Sequence, residues 1–227
     1  MSLLGEHVLI RLSDGDAEDA VRAVSKWGTR VGGFVMGAGL FSNRGPILVG
    51  ALGAFGKPLL VDLGILDRPR VVARAVARMG KLGARWISVS GLGGRRMVEA
   101  AVAEADGYPE TSVVVSAALA GWAEDSELKG VGIFDTRGSL VSRMTKLALN
   151  AGAEGILFPA RELGVVVQVS GSEGFSRMGN SKGFWRMADT TGCLSSSEQM
   201  PEVDGIVAGG AHRVIIPQVR VAADEGE

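Results

Sequence analysis

Short apolar runs alternate with amphipathic helical segments along most of the chain, and this alternation restricts its fold more than any other feature. The run Leu59–Val61 is typical of a strand buried on both faces, and the amphipathic segment Arg70–Leu82 follows it. A Gly-Ala pair that closes a helix recurs at Gly83 and Gly152, 69 positions apart. That spacing fits two β/α units of roughly 30 to 35 residues each, so the pattern favours a parallel α/β fold.

The segments can be assigned to a (β/α)8 barrel, a TIM barrel, that forms a single domain over residues 1–227. The predicted strands are His7–Leu12, Val31–Met36, the strand that begins at Pro58, Trp86–Ser90, Ser112–Ala118, Gly155–Pro159, Gly164–Val169 and Val203–Gly210. The stretch 121–137 is predicted to be a long loop, and the Gly- and Ser-rich stretch 171–200 a flexible lid or loop. Only 17 residues follow Gly210, which predicts a shortened last helix and imperfect closure.

Charge and composition exclude several classes of protein. The formal net charge is −1, from 24 basic and 25 acidic residues, so nothing attracts nucleic acid or an anionic membrane globally. No apolar run approaches the roughly 20 residues that span a bilayer. The single Cys193 cannot form an intrachain disulfide, and the N-terminus lacks a cationic stretch followed by an apolar segment. We therefore expect a cytoplasmic protein without a nucleic-acid or membrane partner.

Two carboxylates flank the end of the predicted third strand. Asp62 ends an apolar run and Asp67 lies in the turn beyond it, where catalytic groups collect in a parallel barrel. Two acids that face one pocket need a compensating charge, which Arg68, Arg70 or a Mg²⁺ ion at Asp62 and Asp67 would supply. The plainer interpretation is a helix N-cap with a loop salt bridge to Arg68 or Arg70.

Glycine pairs at predicted strand ends suggest a place for a phosphate group. Backbone N–H groups at Gly93-Gly94 and Gly209-Gly210 would hold such an anion if each pair opened a helix, with Arg213 adding positive charge. Tight β/α turns also use such glycines without any ligand. His212 is a further ligand candidate, and the partner we expect is a small phosphorylated molecule, a nucleotide or a sugar phosphate.

The stretch Asp62-Leu63-Gly64-Ile65-Leu66-Asp67-Arg68-Pro69 resembles the D-x-K-x-x-D-I-P signature of the orotidine 5'-phosphate decarboxylase family. Weaker similarity extends from Leu9 to Gly210. The resemblance implies a TIM barrel lyase that converts orotidine 5'-phosphate to uridine 5'-phosphate in pyrimidine biosynthesis without a cofactor. It also implies a homodimer in which Asp67 reaches the neighbouring site. The family's catalytic acids then correspond to Asp62 and Asp67, and its substrate- and phosphate-binding positions to Ser90, Ser170, Gly171, Gly209, Gly210 and Arg213.

The chain departs from the family at the positions that carry the chemistry. Gly64 stands where the family has the lysine that protonates the carbon losing carbon dioxide, and Gly210 stands where it has a phosphate-binding arginine. A second family lysine would fall near Val35 or Met36, and an aspartate near Ser13 or Asp14. We therefore expect impaired or diverged activity. A substitute proton donor such as Lys182, Arg70 or Lys57 is one alternative, and a non-catalytic phosphate-binding or assembly barrel is the other.

Overall fold

Eight parallel strands close into a barrel in the order of the sequence, with the last strand paired to the first. A computed structural model describes residues 5–117, 125–172, 184–190 and 203–218. The strands are β1 Gly5–Arg11, β2 Val31–Gly37, β3 Leu59–Ile65, β4 Trp86–Ser90, β5 Ser112–Ser116, β6 Gly155–Pro159, β7 Trp185–Asp189 and β8 Arg213–Pro217. The helices are α1 Ala17–Trp27, α2 Ala38–Arg44, α3 Pro46–Gly53, α4 Pro69–Lys81, α5 Gly94–Ala105, α6 Asp125–Gly130, α7 Arg137–Asn150, α8 Leu163–Ser172 and α9 Val203–Ala208. This confirms the predicted TIM barrel.

One buried apolar side chain from each strand fills the centre of the barrel. Because side chains alternate along a strand, the residues two positions further on face the interior nearer the strand ends. This central layer separates an upper space, at the carboxyl ends of the strands, from a lower one. Its members are Leu9, Val35, Leu60, Trp86, Val114, Leu157, Met187 and Ile215.

Helices pack on the outside of the barrel through the faces that the sequence predicts. In α4, Pro69 occupies the first turn and Val72, Val76 and Met79 are buried against the strands. Gly83, with φ +85°, lies just beyond the helix end in a conformation that favours glycine. In the described part of the chain, no helix has both the length and the apolarity to cross a membrane.

Two of the predicted strands are wrong. The residues predicted as the seventh strand form α8, in which Val166, Val169 and Ser170 are buried at helical spacing. Those predicted as the eighth form α9 and the turn after it. The true β7 lies inside the stretch predicted as a lid, 171–200, most of which lies outside the described residues.

Closure of the barrel also differs from the sequence prediction. β8 pairs in parallel with β1 over four residue pairs, so the barrel is complete. The predicted shortened last helix lies outside the described residues, apart from its first position at residue 218. The stretch 121–137, predicted as a loop, contains α6 and the start of α7.

Candidate active site at the barrel mouth

A guanidinium group bridges two carboxylates in the upper space of the barrel, which we call the mouth. Arg11, the last residue of β1, places Nη2 2.8 Å from Asp62 Oδ2 on β3 and 2.7 Å from Asp189 Oδ2 on β7. All three side chains are mostly buried, with exposed fractions of 19% or less. Three strands that are distant in sequence therefore meet through one charged cluster.

Ser88 on β4 extends this cluster to the backbone. Its Oγ donates to Asp62 Oδ1 at 2.7 Å and accepts the backbone N–H of Gly64 at the same distance. Both oxygens of Asp62 are thus engaged, one by the hydroxyl and the other by Arg11. The Asp62 side chain is fixed in one orientation, toward the barrel axis.

The charged state of Arg11 is locked by its neighbours. Burial by itself lowers the pKa of Arg11, but the charges of Asp189 and Asp62 and the hydrogen bonds to both outweigh it. The net result is a pKa raised above the ordinary arginine value. Asp14 is a further acid near this cluster. Gly37 lies between it and Arg11, since a Cβ built on Gly37 would be 3.5 Å from Arg11 Nη1 and 4.0 Å from Asp14 Oδ1. The mouth therefore holds one fixed cation among carboxylates.

The backbone at Gly64, where the family signature has lysine, does not continue the strand regularly. Gly64 has φ +51°, a conformation that favours glycine, and a Cβ there would meet no atom within 4 Å. The register between β3 and β4 shifts between Val61 and Ile65. Regular alternation would point residues 62 and 64 to the same side of the strand, and this bulge breaks that alternation. The strand is therefore irregular at the position that the family signature gives to lysine.

Asp67 is not brought together with Asp62 in this chain. It lies in the exposed turn before α4, where its Oδ1 accepts the backbone N–H of Arg68 and lies 3.7 Å from Arg68 Nε. The salt bridge to Arg68 in the plainer interpretation describes these contacts. Its helix N-cap is wrong, because Arg68 is the N-cap of α4 and no side chain caps that helix. The Mg²⁺ site predicted from Asp62 and Asp67 does not form within the chain, because each acid has different partners. Among the described residues, no group of three metal-binding side chains occurs.

The predicted phosphate-binding residues lie in different parts of the barrel. Ser90 ends β4 at the mouth, where its Oγ accepts the N–H of Leu92 at 3.3 Å. Ser170 and Gly171 belong to α8 rather than to a strand end, and Ser170 Oγ donates to Val166 O.

The remaining predicted positions lie at the opposite end of the barrel. Gly209 and Gly210 form the turn that precedes β8, and Arg213 is the first residue of that strand. The prediction placed these residues at a strand's carboxyl end because α9 was interpreted as the last strand. Asp62 and Arg213 therefore do not share a site, and a phosphate role for these residues stays a prediction.

The proposed substitute proton donors are also not gathered at the mouth in the described part of the chain. Lys57 precedes β3, at the opposite end from Asp62, and its Nζ lies 3.4 Å from Val31 O. Arg70 is exposed in the first turn of α4. Lys182 lies outside the described residues, as does Cys193.

Sequence reasoning missed Arg11, Ser88 and Asp189. Arg11 interrupts an apolar strand at a position that alternation from Leu9 directs inward, which is a usable signal. Asp189 was hidden because its strand was taken for part of a lid.

Comparison with known proteins yields one consistent result. A model of the Orotidine 5'-phosphate decarboxylase / HUMPS family matches residues 12–224. Orotidine 5'-phosphate decarboxylase of Chromobacterium violaceum is 29% identical over 217 residues, which cover 96% of this chain and 86% of that protein. The enzyme of the same name from Teredinibacter turnerae is 26% identical over 173 residues, covering 76% and 75%.

Solved structures support the same fold. The crystal structure of orotidine 5'-phosphate decarboxylase from Lactobacillus acidophilus superposes with a TM-score of 0.75 at 19% identity, covering 93% of this chain and 89% of that one. An uncharacterized conserved protein from Geobacillus kaustophilus gives a TM-score of 0.76 at 20% identity, covering 96% and 97%. At these identities the similarity establishes the barrel fold.

Proposed function

This chain belongs to the Orotidine 5'-phosphate decarboxylase / HUMPS family, and we propose that it is a diverged lyase-like member whose decarboxylation of orotidine 5'-phosphate is impaired. The observation that carries this proposal is Arg11 held between Asp62 and Asp189. In this account the only cation described at the mouth is bound to the protein's own acids. We further propose that the protein works in the cytoplasm on a phosphorylated ligand.

Proton supply is the first reason to expect impaired turnover. Decarboxylation breaks a carbon–carbon bond and leaves an electron pair on the ring carbon, which a proton must then neutralise. Gly64 offers no side chain, and Arg11, with its raised pKa, holds its proton too strongly to donate it. A well-placed general acid contributes about 10²–10⁴-fold to a rate, so we expect a loss of at least that size.

Electrostatics supplies the second reason. The mouth cluster joins one guanidinium to two carboxylates, so its formal charge is negative. A substrate carboxylate that approached Asp62 would be repelled by its negative charge. In the described part of the mouth, Arg11 is already paired with acids and could not offset this repulsion. Such repulsion assists catalysis only where a protonated donor neutralises the developing carbanion.

An absorbance assay for loss of the orotate chromophore tests this proposal. Purified protein should give turnover at or near the uncatalysed rate, and Asp62→Ala should leave that rate unchanged. The matched control is Asp106→Ala, which removes a carboxylate at the end of α5, away from the mouth. Robust turnover that Asp62→Ala abolishes and Asp106→Ala preserves would contradict the proposal.

A non-catalytic phosphate-binding barrel is the second candidate, and the same cluster favours it. Arg11 is held by the protein's own carboxylates, so the cluster needs no substrate and no reaction to be stable. Calorimetry with uridine 5'-phosphate and ribose 5-phosphate separates the candidates: binding of either without turnover supports the binding barrel. Absence of binding by both would remove the phosphorylated ligand from the account.

We also propose a homodimer, supported by an exposed apolar patch beside the mouth. Leu66 is 57% exposed, Leu92 45% and Phe134 79%. Leu92 and Phe134 line one hollow of about 360 Å³. Leu66 lies against Gly93, the residue that follows Leu92. Asp67, in the same turn as Leu66, is then placed to reach the second copy's mouth.

Light scattering tests this proposal. The protein should have twice its chain mass, and Phe134→Ser should shift it toward the monomer. Ile47→Ser is the control, because Ile47 is 76% exposed on α3 and lines a different hollow. A monomeric wild-type protein at high concentration would contradict the dimer.

A further inference from the structure

The lower end of the barrel carries buried N–H donors without acceptors. Trp86 Nε1, Trp185 Nε1 and Arg213 Nε are all inaccessible to solvent and have no hydrogen-bond partner among the residues that the structure describes. They belong to the first residues of β4, β7 and β8, so all three face the lower interior. With Arg85, these residues form what we call the floor.

The donors are close neighbours. The indole rings of Trp86 and Trp185 meet edge to face, with centroids 5.5 Å apart. The guanidinium carbon of Arg213 lies 4.8 Å from the centroid of Trp185 and 5.8 Å from that of Trp86. Two indole rings that carry unmet donors thus lie next to the Arg213 guanidinium, which carries the third.

Positive charge at the floor is not neutralised by ion pairs. Arg85 lies 5.5 Å from the ring of Trp86, and its Nη1 donates to Glu110 O and Ser112 Oγ. Arg213 Nη1 donates to His212 O. Among the described residues, neither arginine forms an ion pair with a carboxylate. Burial lowers the pKa of Arg213, and the nearby charge of Arg85 lowers it further, while Glu6 acts in the opposite direction.

Native proteins rarely leave such groups unmet. A buried donor without a partner costs about 1–3 kcal/mol, and the penalty grows for charged groups. Three such donors beside two unpaired cations need an acceptor that also carries negative charge. Indole and guanidinium N–H groups are donors only, so none of these groups can accept a hydrogen bond from another.

We propose that the floor binds a small oxyanion of the sulfate or phosphate type, held by Arg213 and the two indole N–H groups. Trp185 and Arg213 are partly exposed, although their unpaired donor atoms are buried. Trp86 itself belongs to the central layer, and the other apolar side chains of that layer lie between this site and the mouth. It does not depend on the proposed function.

Amide and indole NMR spectra test this proposal. The chain has four tryptophans, and Trp86→Phe and Trp185→Phe identify two of the indole ¹H–¹⁵N cross-peaks. Sodium sulfate should move both cross-peaks saturably, and sodium chloride at equal ionic strength should not. Sodium phosphate should act at the same peaks.

Variants separate a built site from general salt effects. Arg213→Gln should weaken sulfate binding at least about tenfold, as expected for losing one charge-assisted hydrogen bond. Arg74→Gln, an equal change of charge on the exposed face of α4, should leave it unchanged. Trp86→Phe keeps the ring, removes one donor, and should weaken binding by a smaller factor.

Two outcomes would overturn the proposal. Cross-peaks that do not move, or that move equally in chloride, would mean that water alone meets these donors. Sulfate binding that survives Arg213→Gln in a folded protein would place the anion elsewhere. Calorimetry of uridine 5'-phosphate binding to the Arg213→Gln variant tests the mouth separately, so failure at the floor can be distinguished from failure at the mouth.

Discussion

The two ends of the barrel hold an arginine in opposite ways. At the mouth, Arg11 lies between two carboxylates, so its charge is matched by the protein. At the floor, Arg213 lies against two indole rings and forms no ion pair in the described part of the chain. The same side chain is therefore part of the protein's own structure at one end and available to a ligand at the other. Burial alone does not reveal which of these roles an arginine has.

Removing the mouth arginine should give the largest effect. Arg11→Met leaves two mostly buried carboxylates facing each other, so the free energy of unfolding should fall by about 2 to 4 kcal/mol. Denaturant unfolding measures this. Arg22→Met is the control, because Arg22 is also paired with acids but is 67% exposed, and its loss should cost about 0.5 kcal/mol or less. Equal losses of unfolding free energy in the two variants would contradict the claim that Arg11 is more important for stability than an exposed ion-paired arginine.

The changed backbone at the mouth should give the next effect. Gly64→Lys restores the family's residue type but at φ +51°, so it should cost about 1–2 kcal/mol without restoring turnover. Gly164→Ala is the control, since a Cβ there also meets no atom within 4 Å and its φ is ordinary. Orotidine 5'-phosphate turnover by Gly64→Lys would mean that the mouth retains the family's geometry.

The floor arginine should matter less for stability. In buffer without sulfate or phosphate, Arg213→Gln should change the free energy of unfolding by about 1 kcal/mol or less, since cation–π contact is offset by burial and by Arg85. Denaturant unfolding of both variants under the same conditions compares the stability effects of Arg213→Gln and Arg11→Met directly. A loss as large as that of Arg11→Met would show that both arginines are equally structural.

Protonation of His212 gives the smallest effect. Burial lowers the pKa of His212, and the charges of Arg186 and Arg213 lower it further. An NMR titration should give a midpoint below the ordinary value of about 6.5, and Arg186→Gln should raise it. The chain has two histidines, so the signal that disappears in His7→Gln belongs to His7 and the remaining one to His212.

The sign of the stability effect follows from that direction. A histidine with a lowered pKa in the folded state destabilises the fold only as the pH falls below about 6.5, and contributes nothing above it. A His212 midpoint at or above 6.5 would contradict the positive field at the floor.

Much of the fold could be predicted because periodicity reports burial. The first six strands are apolar runs, and their assignments hold within a few residues. β7 failed because Trp185-Arg186-Met187-Ala188-Asp189 alternates two polar groups with apolar ones inside a polar stretch. α8 failed because valines favour strands, although its buried positions follow the helical period.

The candidate site was only partly predictable. Asp62 was found because it ends an apolar run at a strand's carboxyl end. Arg11 on β1 is 51 positions from Asp62 and 178 positions from Asp189, and no local pattern encodes such pairing. Closure of the barrel, a property of the whole chain, creates the cluster.

A double-mutant cycle between Arg11→Met and Asp62→Asn tests the central claim most directly, because Asn keeps the hydrogen bond from Ser88 while removing the charge. We expect a coupling energy of at least about 1 kcal/mol in the free energy of unfolding, since the two side chains share one charged cluster. Losses that add within about 0.3 kcal/mol would contradict the claim that Arg11 is held by the mouth carboxylates.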